Sequence, residues 1–108
     1  MNECVLVGRV RELPEIKTTS KGNTVASLMM ESDRNFRDED GNIGTDIFNV
    51  TVWRGAAEQA AALCKPGSVI AVKGRLQGRM VQKEERTYYF CEVVAENIDY
   101  LRGLTAAG

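Results

Sequence analysis

Histidine is absent from this 108-residue chain, and several kinds of active site are excluded with it. Without an imidazole there can be no Ser-His-Asp triad, no Cys-His pair and no HExxH zinc site. The sequence also lacks a Walker A motif and a GxGxxG loop. Many of its carboxylates cluster between residues 31 and 46, in one polar segment, whereas acid–base or metal chemistry needs groups that converge from several elements. We therefore expect no enzyme, no cofactor and no bound metal.

Cysteines are few, and long apolar runs are missing. Cys4, Cys64 and Cys91 are an odd number without a CxxC pair, which argues against a disulfide scaffold and a zinc knuckle. Each lies among apolar neighbours and is predicted to be a small buried side chain. No apolar run approaches the ~20 residues of a membrane span, and the N-terminus lacks the pattern of a signal peptide. These absences predict a soluble cytoplasmic protein that does not contact a membrane.

Charge is almost balanced over the whole chain, at −1, but it is unevenly distributed. Residues 47–86 carry seven basic and three acidic side chains, and both flanking segments are acidic. A local basic surface is typical of a site for a polyanion. An ordinary mixed surface would have the same composition, so charge alone leaves both interpretations open.

Strand-like segments dominate the local pattern. Five of them combine β-branched residues with period-2 alternation, at residues 4–10, 24–32, 46–53, 68–80 and 87–95. Gly8, inside the first, indicates a bulge or a close backbone approach. Residues 55–64 are rich in alanine and predict a short helix, which Pro66 ends. Residues 33–45 predict a long flexible hairpin loop carrying Phe36, and residues 82–86 predict a short charged turn.

The order of these elements predicts an all-β fold. One short helix between strands 3 and 4 is the plan of a five-stranded OB-fold, a Greek-key barrel. The predicted domain covers residues 1–102, and residues 103–108 are predicted to be a frayed C-terminal end. A two-sheet sandwich with an incidental helix is the alternative.

Alternation along the third and fourth strands predicts a binding face. Phe48, Val50 and Val52 point inward, so Asn49, Thr51 and Trp53 point outward. An exposed aromatic ring beside a row of cations suits single-stranded nucleic acid, because bases stack on the ring and phosphates attract the cations. The predicted stacking residues are Trp53 and Phe36; the predicted phosphate contacts are Arg34, Arg37, Arg54, Lys73, Arg75, Arg79, Lys83 and Arg86; the predicted polar contacts are Asn49, Thr51 and Gln77. The alternatives are a buried Trp53, a Phe36 packed on its own barrel, and arginines that face solvent or another subunit.

Several motifs occur together in the order and spacing of a known family. They are residues 2–10 (NECVLVGRV) with Pro14-Glu15, residues 35–38 (NFRD), 48–54 (FNVTVWR), 65–68 (KPGS), 74–79 (GRLQGR) and 92–95 (EVVA). Through them the chain resembles the bacterial single-stranded DNA-binding proteins from residue 2 to about residue 101.

The resemblance implies a homotetramer, or a dimer, that coats single-stranded DNA in replication, repair and recombination, near the nucleoid. The stacking positions of the family fall on Phe36, Ile47, Trp53 and Val81. Because Ile47 and Val81 are not aromatic, the resemblance implies weaker binding. The flexible tail with an acidic tip, by which family members recruit partner enzymes, is not found in this sequence, so recruitment of replication proteins is not expected. The alternative is an OB-fold accessory protein of a primosome-type complex.

Overall fold

Six strands and one helix account for the regular structure of the residues described by the computed structural model, which gives the backbone of residues 1–105 and the side chains of residues 1–101. The elements are β1 (Cys4–Val10), β2 (Glu15–Thr18), β3 (Thr24–Arg37), β4 (Ile43–Trp53), α1 (Arg54–Leu63), β5 (Ser68–Lys83) and β6 (Arg86–Thr105). The predicted frayed end, residues 103–108, overlaps the end of β6, and its last three residues lie outside the described part.

The strands form a closed barrel. Their order is β1-β5-β6-β4-β3-β2, and β1 also pairs with β3, so that five strands make the ring. All neighbours are antiparallel except β4 and β6, which are parallel. This architecture confirms the predicted OB-fold barrel over the sandwich. The structure has one strand that was not predicted: β2, a short exposed strand after Pro14. Because β2 is counted, the helix lies before β5, which corresponds to the predicted strand 4.

The core lies inside the ring and beneath the helix. Leu28, Met30 and Ile70 are fully buried there, together with Val50 and Val52 of β4. The predicted inward and outward faces of β4 are therefore confirmed. Helix α1 buries Ala57 and Ala60, whose small side chains allow its backbone to approach the barrel closely.

Two glycines allow the barrel to close. A Cβ atom on Gly8 would overlap the carbonyl oxygen of Glu31, and one on Gly74 would overlap that of Val94. The close backbone approach predicted at Gly8 is thus confirmed. Beside Gly74 the register of β6 shifts, which leaves Glu96 as the extra residue of a β-bulge. The bulge lies within one long strand, β6, which continues past residue 95, where the predicted fifth strand ends.

The hairpin between β3 and β4 is longer than predicted, because only residues 38–42 connect the strands. Its polar residues pair across strands instead of forming a loop. The Arg34 guanidinium donates two hydrogen bonds to Oδ1 of Asp46, at 2.9 and 3.0 Å. Oδ1 of Asp38 accepts the backbone N–H groups of Asp40 and Asn42, each at 2.9 Å, and orders the tip. The prediction of a flexible loop was therefore wrong, and Phe36 lies on a strand.

The hairpin between β5 and β6 is also longer than predicted. Its turn has two central residues, Glu84 and Glu85, with φ of 52° and 66°. Toward this turn the strands are mostly exposed, and Cys91 is exposed with them. The burial predicted for the cysteines holds for Cys64, whose burial raises the pKa of its thiol. It holds only in part for Cys4, which is half-buried against the core, and it was wrong for Cys91.

Candidate nucleic-acid interface

Hydrogen bonds connect polar side chains across the outer face of the barrel. The Ser27 hydroxyl donates to Oδ1 of Asn49 at 2.8 Å. The Thr51 hydroxyl donates to Oε2 of Glu92 at 2.7 Å, which joins β4 to β6. The Asn49 NH₂ group donates to no other side chain among the described residues, so it remains available as a donor. This row places hydrogen-bonded polar groups on β4, which ends at Trp53, and on β6, which pairs with the basic strand β5.

On β5 the same face is basic. Nη1 of Arg75 donates to Oε1 of Gln77 at 3.0 Å, and Gln77 lies opposite Glu92 in the register of β5 and β6. Arg79 lies one step further along the strand. The predicted polar contacts Asn49, Thr51 and Gln77 are thus brought onto one surface with Arg75 and Arg79.

A pocket opens in the middle of this surface. Its volume is about 150 Å³, and it is lined by Asn49, Gln77, Arg79, Phe90, Cys91 and Glu92. Beside it lies a second, more apolar open pocket of about 350 Å³, whose lining includes Ile47, Leu76 and Val93. Residues from β4, β5 and β6 therefore share one pocket, although they are far apart in the sequence.

Trp53 lies at the end of β4, where the chain enters α1. Its side chain is 41% exposed, so the alternative of a buried core residue was wrong. Arg54 follows it as the first residue of α1, with φ of 59°, and is exposed. An indole that is partly supported and partly accessible can accept a stacked base.

Phe36 and Arg34 form a second aromatic–cation pair near the tip of the β3–β4 hairpin. The phenyl ring is 59% exposed, so it does not pack on its own barrel. The Arg34 Cζ atom lies 5.9 Å from the ring centroid, within cation–π range. Hydrogen bonds and charge attraction from Asp46 raise the pKa of Arg34. Arg34 thus supports the ring, but Asp46 already neutralises its charge.

The predicted phosphate contacts differ in their partners. Lys73 Nζ lies 3.2 Å from a carboxylate oxygen of Glu3, so Lys73, like Arg34, has an acidic partner. Nη1 of Arg37 donates to the carbonyl oxygen of Gly41 at 2.8 Å. Within the described residues no carboxylate forms an ion pair with the other cations of the set, which are Arg37, Arg54, Arg75, Arg79, Lys83 and Arg86.

Three residues of this surface were absent from the predicted site. Glu92 is the acceptor at its centre, Phe90 borders the pocket, and Tyr88 lies two residues before Phe90 on β6. Sequence alternation counted from Glu92 would have placed all three on one face. The local pattern of residues 88–90 predicts only a strand, because the partner and direction of β6 depend on the tertiary structure.

Among residues 1–101 there is no group of three or more acidic or cysteine side chains placed to hold a metal ion. The helix that the structure describes, α1, has ten residues, which is too short to cross a membrane.

Comparison with known proteins identifies relatives along almost the whole chain. Residues 1–101 match the Single-strand binding protein family. Single-stranded DNA-binding protein B of Bacillus subtilis is 37% identical over 101 residues, which cover 93% of this chain and 89% of that protein. The single-stranded DNA-binding protein of Enterococcus faecalis is 33% identical over 108 residues, which cover 99% of this chain and 57% of that protein.

A similar solved structure is a deletion mutant of the single-stranded DNA binding protein from Thermus aquaticus, with a TM-score of 0.78 and 28% identity. The similarity covers 95% of this chain and 51% of that one. The chain therefore spans most of the B. subtilis protein but little more than half of the E. faecalis and T. aquaticus proteins. The extent of the match and the shared barrel show that this chain belongs to the single-strand binding protein family.

Proposed function

We propose that this chain binds single-stranded DNA without sequence preference, by stacking bases on Trp53 and Phe36 and by attracting phosphates with the cations beside them. The observation that carries the proposal is the outer face of β4 and β5. There the partly exposed Trp53 follows a polar row, and Arg75 and Arg79 lie on the neighbouring part of the sheet without described acidic partners. The names of the relatives, single-stranded DNA-binding proteins, support the same ligand.

Base stacking and charge attraction make separate contributions to the proposed binding free energy. A base stacked on an aromatic ring contributes about 1–3 kcal/mol whatever its identity, because every base has a π-face. The cations without acidic partners add a term that falls with salt, because each neutralised phosphate releases counterions. The amide groups of Asn49 and Gln77 offer hydrogen bonds to bases or sugars. Arg34 and Lys73 contribute less in this proposal, because Asp46 and Glu3 already neutralise them.

Self-association belongs to the proposal as well. Val5 and Val7 expose apolar side chains on β1, at the part of the strand that pairs only with β5. A second copy could cover this strand, and we propose a homotetramer, with a dimer as the smaller assembly. The setting we propose is the bacterial cytoplasm at the nucleoid, where the protein would protect exposed strands during replication, repair and recombination.

Titration with oligothymidylate tests the DNA-binding proposal, because Trp53 is the only tryptophan. We expect the indole fluorescence to be quenched at low salt, and the affinity to fall as salt is raised. The Arg79→Ala variant should bind more weakly and reduce the salt slope by about 1. Lys21→Ala is the matched control, since Lys21 is an exposed cation in the turn between β2 and β3. Absence of quenching and of any salt-dependent binding would contradict the proposal.

A further inference from the structure

We infer that the outer face of the β5–β6 hairpin, beyond the barrel, is a second base-stacking surface for single-stranded DNA, formed by Tyr88 and Phe90. This inference rests on the proposed function and extends it to residues outside the predicted site. We call this surface the hairpin face and define it by Tyr88, Phe90 and their cross-strand neighbours Arg79, Val81, Lys83 and Arg86.

The register of β5 and β6 places these side chains together. Phe90 lies opposite Arg79, and Tyr88 lies opposite Val81. The pairing runs without a shift from Gly74 to Lys83, so side chains two residues apart stay on the same face. Phe90 also lines the pocket that Asn49 and Gln77 border, which ties the hairpin face to the surface described above.

Both rings are accessible, and their spacing suits an extended strand. Phe90 is 53% exposed and Tyr88 is 43% exposed. Residues i and i+2 of a strand are about 6.8 Å apart. This is roughly twice the 3.4 Å rise per nucleotide along one strand of duplex DNA. A strand that is stretched and unstacked can therefore place successive bases on the two rings.

Charge indicates which ligand this surface accepts. Arg79, Lys83 and Arg86 lie beside the rings, and Lys83 is directly opposite Arg86. Like charges opposite each other destabilise a sheet unless an anion lies between them. None of the three has an ion-pair partner in the part of the chain that the structure describes. Glu92, at the base of this face, is occupied by the Thr51 hydroxyl. The two rings are thus flanked by cations, an arrangement that suits stacked bases with phosphates on either side.

The reverse face of the same hairpin has a different character. Tyr89 is 78% exposed and lies opposite Met80, which is also exposed. Alternation places Gly78 and Cys91 as the next pair on this side, so no cation accompanies the ring there. Tyr89 therefore provides a matched control of the same residue type, on the same strand, facing away from the proposed surface.

The hairpin face also compensates for the aliphatic side chain of Val81. The absence of an aromatic ring at Val81 implied weaker stacking at this place in the fold. Tyr88 is its direct cross-strand partner, so an aromatic ring is present on the neighbouring strand, on the same face. Stacking here depends on β6 instead of β5.

Binding of fluorescently labelled oligothymidylate, followed by anisotropy at several salt concentrations, tests the inference. Tyr88→Ala and Phe90→Ala should each weaken binding at least about 5-fold, which corresponds to the lower limit of stacking on one ring. Tyr88→Phe should retain the affinity, because the ring remains. The affinity of Tyr89→Ala should stay within about 2-fold of that of the original chain. Sedimentation of each variant ensures that affinities are compared at the same assembly state. The salt slope should not change in the alanine variants, because no phosphate contact is lost.

The outcomes separate this inference from the proposed function. If the Tyr88→Ala/Phe90→Ala variant binds like the original chain while Trp53 is still quenched, the hairpin face is not a stacking surface, and the proposed function stands. An equal loss in Tyr89→Ala at unchanged assembly would also overturn the inference, because the effect would not depend on the face. If the original chain does not bind the oligonucleotide at all, both are overturned.

Discussion

Arg9 and Asp33 form a bidentate ion pair between β1 and β3, where those strands close the barrel. Nη1 of Arg9 donates to Oδ2 of Asp33 at 3.1 Å, and Nη2 donates to Oδ1 at 2.9 Å. The Thr45 hydroxyl adds a longer hydrogen bond to Oδ1, at 3.3 Å. The hydrogen bond from Arg9 lowers the pKa of the Asp33 carboxyl and raises that of the guanidinium. The pair thus links a pH-dependent charge to the closure of the barrel.

Acid should therefore lower the free energy of unfolding over a pH range set by the pKa of Asp33. Because the pKa of Asp33 is lower in the folded chain than the ordinary value of about 3.9, the folded state favours the ionised carboxylate. The stabilisation is present above that ordinary value and is lost as the pH falls toward and through the folded pKa. Thermal unfolding from pH 7 downward should show the melting temperature of Asp33→Asn approaching that of the original chain as this pH range is crossed.

Asp40→Asn is the control for this prediction. Asp40 is exposed at the tip of the β3–β4 hairpin, and its carboxylate has no hydrogen-bond partner among the described side chains. A constant difference between Asp33→Asn and the original chain at every pH would contradict the assigned role of the ion pair.

The turn of the β5–β6 hairpin should become more stable on substitution. Glu84 and Glu85 both have positive φ, a conformation that disfavours side chains with a Cβ and that Asn-Gly adopts readily. The Glu84→Asn/Glu85→Gly variant should raise the free energy of unfolding by about 1–2 kcal/mol, measured in urea. Glu84→Gln/Glu85→Gln removes the same charges and keeps both Cβ atoms. If that control is equally stabilised, charge and not backbone conformation is the cause.

Two glycine-to-alanine substitutions should have opposite effects. At Gly74 a new Cβ meets the carbonyl oxygen of Val94, so Gly74→Ala should lower the free energy of unfolding by about 1–3 kcal/mol. At Gly55 in α1 a Cβ would meet no atom within 4 Å, so Gly55→Ala should raise it by about 0.5–1 kcal/mol through helix propensity. Urea unfolding of both variants measures the two effects. A neutral Gly74→Ala would contradict the close approach at the bulge.

Local pattern was sufficient for much of the fold. The alternation of Val50 and Val52 with Asn49 and Thr51 predicted which side of β4 faces the core, and the alanine-rich segment predicted α1 to within one residue at each end. The stacking candidates Trp53 and Phe36 are exposed as expected. Each of these features depends on neighbours within a few residues, so the sequence contains the necessary information directly.

Polar residues that pair across strands account for most of the differences between the predicted and the observed strands. Asp33 and Arg34 indicate a loop when considered singly, because they lie in a polar segment rich in Asp, Asn and Gly, which favour turns. In the folded chain their charges are matched by partners on other strands, so the strands continue. β2 was missed for a related reason: its four residues are exposed on both faces and show no apolar alternation.

The amino-acid sequence by itself determined the strand periodicity, the short helix, the absence of histidine chemistry, and the aromatic and basic residue types on which the proposed binding depends. The tertiary structure decided which of those residues meet. Barrel closure placed Arg9 beside Asp33, and the register of β5 with β6 set Tyr88 and Phe90 on the same face as Arg79. The physical reason is that a strand's two faces follow from its own alternation, whereas its cross-strand neighbours depend on register with a distant segment.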